Sequence, residues 1–197
     1  MPRLIHLVLI SALAAPGCVK NPATGERQLS LISQEQEIAL GQQAKQEVAQ
    51  SIGLYDSSEL QSYVSGLGKK LAAASERPAL PWSFQVVDDA SVNAFALPGG
   101  PIFVTRGILT HLNSEAELAA VLGHEIGHVT GRHAANMISK QQLAQLGLGI
   151  GTILLPEGLR GLGQLAGAGM GLMFLKYGRD AENQADELGF RYTLKTG

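Results

Sequence analysis

The chain of 197 residues is predicted to be α+β and mostly helical, with a small sheet of three to four strands beside a helix that carries His-Glu-x-x-His. Three observations predict this. Capped amphipathic segments flank a short block of strand-like residues between positions 84 and 105. A Pro-Gly-Gly turn divides that block. The helix after it holds His124-Glu125-Ile126-Gly127-His128. About 180 residues beyond a leader suffice to bury a sizeable core as one domain. A net charge of -2 with a pI near 6.2 gives no electrostatic reason to expect nucleic acid as a partner.

The chain opens with Arg3, an apolar run from Leu4 to Ala15, and Pro16-Gly17-Cys18, the charged start, short hydrophobic middle and small-residue end of a secretory signal. The run is shorter than the ~20 residues of a spanning helix. Residues 1–17 are therefore expected to be a signal peptide. Cys18 is the only cysteine, so no intrachain disulfide is available, and its place after Gly17 resembles the lipidated cysteine of a bacterial lipoprotein. Ala15 stands where such signals usually carry Leu, and a plain cleaved signal is the alternative. Residues 18–32 are polar and turn-rich and read as a tether; no acidic residue follows the cysteine directly, so retention at the inner membrane is not signalled.

Residues 33–197 are expected to form the catalytic domain. Ser33 with Gln36 caps a helix through about Gln50, and Asp56 with Glu59 opens another whose Leu60, Val64, Leu67 and Leu71 make one apolar stripe. Residues 84–88 and 93–97 read as strands, Pro98-Gly99-Gly100 as a turn and residues 101–105 as a third strand, with Phe95 and Phe103 in the core. Ser114 with Glu117 forms a Ser-x-x-Glu start for a helix expected to run beyond Ala135. Between positions 143 and 175 two uncharged stretches rich in Gly, Ala, Leu and Met flank Pro156, Glu157 and Arg160; each is too short to span a membrane and a helical hairpin is expected.

The chemistry rests on the motif. At about 100° per residue, His124 and His128 lie about 40° apart around a helix, one turn above the other, so both imidazoles can hold one ion. Glu125 borders the same sector and can reach the water that a catalytic zinc keeps in its fourth position. A chance match is expected in only about one such chain in a hundred.

A third protein ligand is needed. His133 lies five residues after His128, but on a continuous helix it points about 180° away from His124, so it is expected at the surface or as a hydrogen-bond partner of a ligand. Glu182 and Asp186, four apart, share a helical face, so one can bind the ion while the other accepts a hydrogen bond from a ligand imidazole. An exposed strand edge at Asn93-Ala94, beside such a site, can bind an extended peptide through main-chain hydrogen bonds.

His-Glu-Ile-Gly-His-Val, the later Arg179-Asp-Ala-Glu-Asn-Gln-Ala-Asp-Glu-Leu-Gly189 and the earlier block from Asn93 to Leu109 together resemble the HtpX-like and CAAX-prenyl-protease-like gluzincin zinc metallopeptidases, of which BepA and LoiP are periplasmic lipoprotein types. The resemblance runs from about Asn21 to the end of the chain. It implies a zincin-type metalloprotease fold and one Zn2+ per chain on His124, His128 and Glu182. It also implies Glu125 as general base, Asp186 as the partner of a ligand histidine, and the edge strand of Asn93 and Ala94 as the substrate-binding lip. Members of the family continue beyond the helix that ends here, so the domain is expected to be truncated at its C-terminus.

The activity expected is zinc-dependent endopeptidase cleavage of polypeptides, misfolded envelope proteins above all, by a periplasmic enzyme held to the outer membrane through lipid on Cys18 or else soluble in the periplasm. Glu125 would take a proton from water and pass it to the leaving amine. Tyr177 is the candidate for the extra donor to the tetrahedral oxyanion. A chaperone-like client-binding module with a structural zinc site is the alternative, and a hydrolase acting on a non-peptide bond is a third reading.

Overall fold

A computed structural model of the protein describes residues 18–145, 169–172 and 175–197. The signal expected at 1–17 and most of the apolar 143–175 stretch lie outside the described residues. Among the described residues no helix is long and apolar enough to cross a membrane.

The order is β1 (Cys18–Lys20), β2 (Arg27–Leu29), α1 (Gln34–Ser51), α2 (Ser58–Ala73), β3 (Ser83–Val87), β4 (Ala94–Ala96), β5 (Pro101–Thr105), α3 (Arg106–Leu109), α4 (Glu115–Thr130), α5 (His133–Gln145), α6 (Gly169–Leu172) and α7 (Arg179–Thr196). This is the mostly helical α+β fold expected. Helix starts follow the local chemistry of their caps. Ser33 and Gln36 form a reciprocal capping box on α1. On α2 the cap is Ser57 rather than Asp56; its hydroxyl accepts from the Leu60 N–H at 3.2 Å. On α4 the Ser114 hydroxyl accepts from the Glu117 N–H, while the Glu117 carboxylate reaches back to the Asn113 N–H. Each satisfies amides that the first turn leaves without intrahelical partners.

The main sheet has the order β3-β5-β4, with β3 and β5 parallel and β4 antiparallel to β5. Strand β5 is central, and all five of its residues are buried. Because side chains alternate along a strand, the sheet feeds two cores. Phe84, Val86, Ile102 and Val104 pack with the α2 stripe and with Leu118, Leu122 and Ile126 of α4 and Leu188 and Tyr192 of α7. Val87, Phe95, Leu97 and Phe103 face the other way, against Ala44 and Val48 of α1, Ala135 and Ile138 of α5, and Leu172. Phe95 and Phe103 stack with centroids 5.2 Å apart, core residues as expected.

The residues read as a tether pair as a hairpin, β1 against β2. Its turn is docked: buried Asn21 and half-buried Gln28 both donate side-chain amide hydrogens to the Gly131 carbonyl, at 2.9 and 3.1 Å.

Helix α4 corrects an expectation. It was expected to continue beyond Ala135, but it stops at Thr130 and a new helix begins at His133. Between them Arg132 has φ 56°, a left-handed conformation costly for a residue with a Cβ. Its guanidinium compensates by donating to Glu37 Oε2 at 2.9 Å and to the Ile32 carbonyl at 3.2 Å. Glu37, 1 % exposed, is also held in two-pronged fashion by Arg77 at 3.0 and 3.1 Å. One buried carboxylate thus joins α1, the segment after α2 and the break between α4 and α5.

Candidate metal centre

Two helices make the centre, and small residues let them approach closely enough to do so. Gly123 and Gly127 of α4 face Ala185 and Gly189 of α7. A Cβ on Gly127 would lie 2.6 Å from the Ala185 carbonyl oxygen, and one on Gly189 would lie 2.7 Å from both Gly123 C and His124 N. The backbones therefore touch where either side would otherwise carry a methyl group. The acidic residues of α7 are delivered to the histidines of α4 by that contact.

His124 and His128 point their Nε2 atoms at one another, 2.9 Å apart, with the rings edge to face. Glu182 closes the triangle, with its oxygens 3.4 Å from His124 Nε2 and 3.8 Å from His128 Nε2. All three ligand atoms lie within 4.8 Å of one another. A tetrahedral zinc with bonds of about 2.0–2.1 Å separates its ligand atoms by about 3.3 Å. The observed edges straddle that value, so the residues fit a single ion. Asp186, one turn beyond Glu182, places Oδ1 2.7 Å from His124 Nδ1 and leaves Nε2 of that ring to face the cluster.

Burial sets the electrostatics. His128, 4 % exposed, has its pKa pulled down to about 3, chiefly by desolvation and then by His133 and His124, so its imidazole is neutral as a metal ligand requires. Glu125 is buried beside it, and desolvation raises its pKa to about 7, with His124 opposing and Glu182 reinforcing. The phenol of Tyr177 is driven well above its ordinary range by the same burial, assisted by Glu125 and Glu182. The Tyr177 ring stacks on His128 at 4.2 Å, a contact with the histidine cluster that its candidacy as an oxyanion donor did not anticipate.

These side chains open into a cleft of about 210 Å³ whose opposite wall is β4; Asn93, Ala94, Phe95, Ala96, Leu172 and Leu175 line it with the residues just described. The register decides which main-chain groups face the cleft. The Asn93 carbonyl accepts from the Thr105 N–H and Leu97 N–H donates to Pro101 O, so residues 93, 95 and 97 turn their backbone groups to β5. The Asn93 N–H is also taken, by the Thr105 hydroxyl. Ala94 and Ala96 turn outward. Of the two residues expected to bind substrate, both line the cleft: Ala94 turns its main-chain groups into it, and Asn93 has its N–H and carbonyl engaged by Thr105, while the Ala96 N–H is directed to the Glu125 carboxylate.

His133 was expected at the surface or touching a ligand, and the break at Gly131-Arg132 decides for contact. The ring is buried, with Nδ1 2.8 Å from His128 Nδ1 and Nε2 3.2 Å from Gln184 Oε1. Gln184 was missed altogether. A signal for the first existed in Thr130-Gly131, a β-branched residue followed by glycine, which marks a helix end. Cys18 begins the docked hairpin at the other end of the described chain.

The sequence pattern of peptidase family M48 matches residues 58–197. The chain is 34% identical over 186 residues to a beta-barrel assembly-enhancing protease of Yersinia pestis, covering 89% of this chain and 38% of that protein. It is 30% identical over 186 residues to the protein of the same name from Escherichia coli, with the same coverage. A mitochondrial metalloendopeptidase of Arabidopsis thaliana is 35% identical over 130 residues, 66% of this chain and 26% of the relative. The chain thus spans 38% of the length of the first of these relatives. With the family pattern covering both halves of the His, His, Glu cluster and the strand edge beside it, the chain belongs to peptidase family M48, the metallopeptidases that its motifs resemble.

Proposed function

We propose that this chain is a zinc-dependent endopeptidase that holds its ion on His124, His128 and Glu182 and uses Glu125 as general base. One observation carries the reading: three ligand atoms within 4.8 Å of one another share a cleft with a buried carboxylate and an outward-facing strand edge. When bound, zinc polarises a carbonyl and lowers the pKa of water towards about 7.

The remaining work belongs to the protein's own side chains. Glu125 takes the proton of the attacking water and returns it to the leaving amine; burial raises its pKa and so favours holding the proton between the two transfers, while a nearby dication would oppose that rise. Asp186 fixes the His124 ring. Ala94 offers main-chain groups to an extended polypeptide, which would add to β4 as a further strand and lie across the histidines, while the Ala96 N–H donates to the Glu125 carboxylate. Such recognition reads the backbone, as an enzyme for varied polypeptides requires.

The substrates proposed are envelope proteins that have failed to fold, supported by relatives whose name joins proteolysis to β-barrel assembly. The proposed location is the periplasm, with lipid on Cys18 anchoring the chain to the outer membrane. The proposed organisation is a signal at 1–17, a connecting segment at 18–32 and the peptidase domain from 33 onward.

The test is digestion of an unfolded casein by the wild-type chain, with and without chelator, against Glu125→Gln. Cleavage should require the metal and vanish in Glu125→Gln while zinc remains bound. Equal cleavage by both proteins would reject the mechanism. Equal protection of a client from aggregation, with no cleavage by either, would instead favour a binding module with a structural ion.

A further inference from the structure

Each histidine of the proposed metal pair presents Nε2 to Glu182, so each must carry its remaining proton on Nδ1 if both are to bind an ion as neutral rings. For His124 the acceptor of that proton is a carboxylate, Asp186. For His128 it is another imidazole, His133 Nδ1 at 2.8 Å. That geometry fixes every donor and acceptor beyond it. His133 Nδ1 accepts, so its proton sits on Nε2 and is donated to Gln184 Oε1 at 3.2 Å. The amide nitrogen of Gln184 then donates to Glu26 Oε2 at 2.9 Å. The run ends on a carboxylate, the one group in it that only accepts.

We propose that His133 is a positioning residue for His128, held in register by Gln184 and by the N-terminal hairpin, so that residues 21–28 form a working part of the metal centre. This rests on the zinc reading above. The hairpin precedes the segment 58–197 that matches the family, yet it touches the centre in two ways. Glu26 terminates the hydrogen-bond run, and Asn21 and Gln28 grip the Gly131 carbonyl at the turn that swings His133 back. Without that turn the helix would carry His133 to the far side and His128 would lose its acceptor.

The test uses the whole chain with zinc and cobalt as probes. Zinc affinity is measured by chelator competition, and the visible spectrum of the cobalt-loaded protein reports ligand geometry. His133→Leu keeps bulk but accepts no hydrogen bond, and should weaken zinc binding by about 10–100-fold with an altered cobalt spectrum. His133→Gln can accept from His128 and donate onward, and should stay within about threefold of wild type with its spectrum retained. If His133→Leu does not fold, Gln184→Leu decides, with a loss of about three- to tenfold expected. Wild-type affinity and spectrum in the Leu variants would overturn the proposal, as would equal loss in His133→Leu and His133→Gln. A wild-type chain that binds neither metal would overturn the zinc reading, and this proposal with it.

Discussion

Gly189→Ala adds one methyl group two turns beyond Glu182, a rise of about 10 Å along α7, yet it should damage the metal centre. The new Cβ would lie 2.7 Å from Gly123 C and His124 N and 2.9 Å from the Gly123 carbonyl oxygen, whereas ordinary contact begins at 3.4 Å. All three are backbone atoms, so no side chain can swing aside, and α7 must retreat by about 0.7 Å. Asp186 and Glu182 lie one and two turns back on the same helix and move with it. The hydrogen bond from His124 to Asp186, now 2.7 Å, stretches beyond a good length, and Glu182 leaves bonding range of an ion held by the histidines. Overpacking of this kind costs about 1–3 kcal/mol. At about 2–4 °C per kcal/mol, the melting temperature of the metal-free protein should fall by about 2–12 °C. Zinc affinity should fall at least tenfold, as when a ligand's supporting partner is lost. Calorimetry of the apo form and chelator competition of the loaded form measure the two effects. A variant with wild-type values in both would refute the argument that backbone contact between α4 and α7 sets the ligand geometry.

Gly66→Ala is the matching control: its Cβ would meet nothing within 4 Å, so the helix-propensity gain of about 1 kcal/mol should appear as raised stability in urea titration with zinc affinity unchanged. Glu37→Gln leaves Arg77 and Arg132 without the buried carboxylate they share and should cost about 3–5 kcal/mol, read as a lower urea midpoint at constant slope. Removal of the metal by chelator should lower the melting temperature of the wild-type protein reversibly, because an ion at about 100 times its dissociation constant adds about 2.7 kcal/mol. A melting temperature indifferent to chelator and to added zinc would remove the ion from the native fold.

The elements that were legible in the sequence are those whose signals are local. The capping box at Ser33, the Pro-Gly-Gly turn and the spacing of His124 and His128 each specify geometry within a few residues, and each appears as read. Glu182, which the fold brings to His124 and His128, was singled out by its pairing with Asp186 at four residues and by family likeness, not by any local sign that α7 lies against α4. The helix break was misread because the compensation for a left-handed Arg132 comes from Glu37, 95 positions away. The engaged backbone of Asn93 was equally hidden, since strand register depends on β5 and not on the residues of β4 themselves.

The break is also where fold and chemistry depend on one another most closely. A left-handed Arg132 costs about 1–2 kcal/mol. What opposes that cost is spread over three parts of the chain: the Glu37 carboxylate on α1, the Ile32 carbonyl before it, and the Asn21 and Gln28 amides that hold Gly131. An uninterrupted helix would avoid the strain, but it would carry His133 away from His128 and remove the acceptor from a buried imidazole. Burying His128 without a partner for Nδ1 costs about 1–3 kcal/mol, comparable with the strain itself. The bent arrangement therefore persists because the groups that stabilise the turn and the histidine that benefits from it are satisfied together, and weakening the turn should be felt at the metal before it is felt in the core.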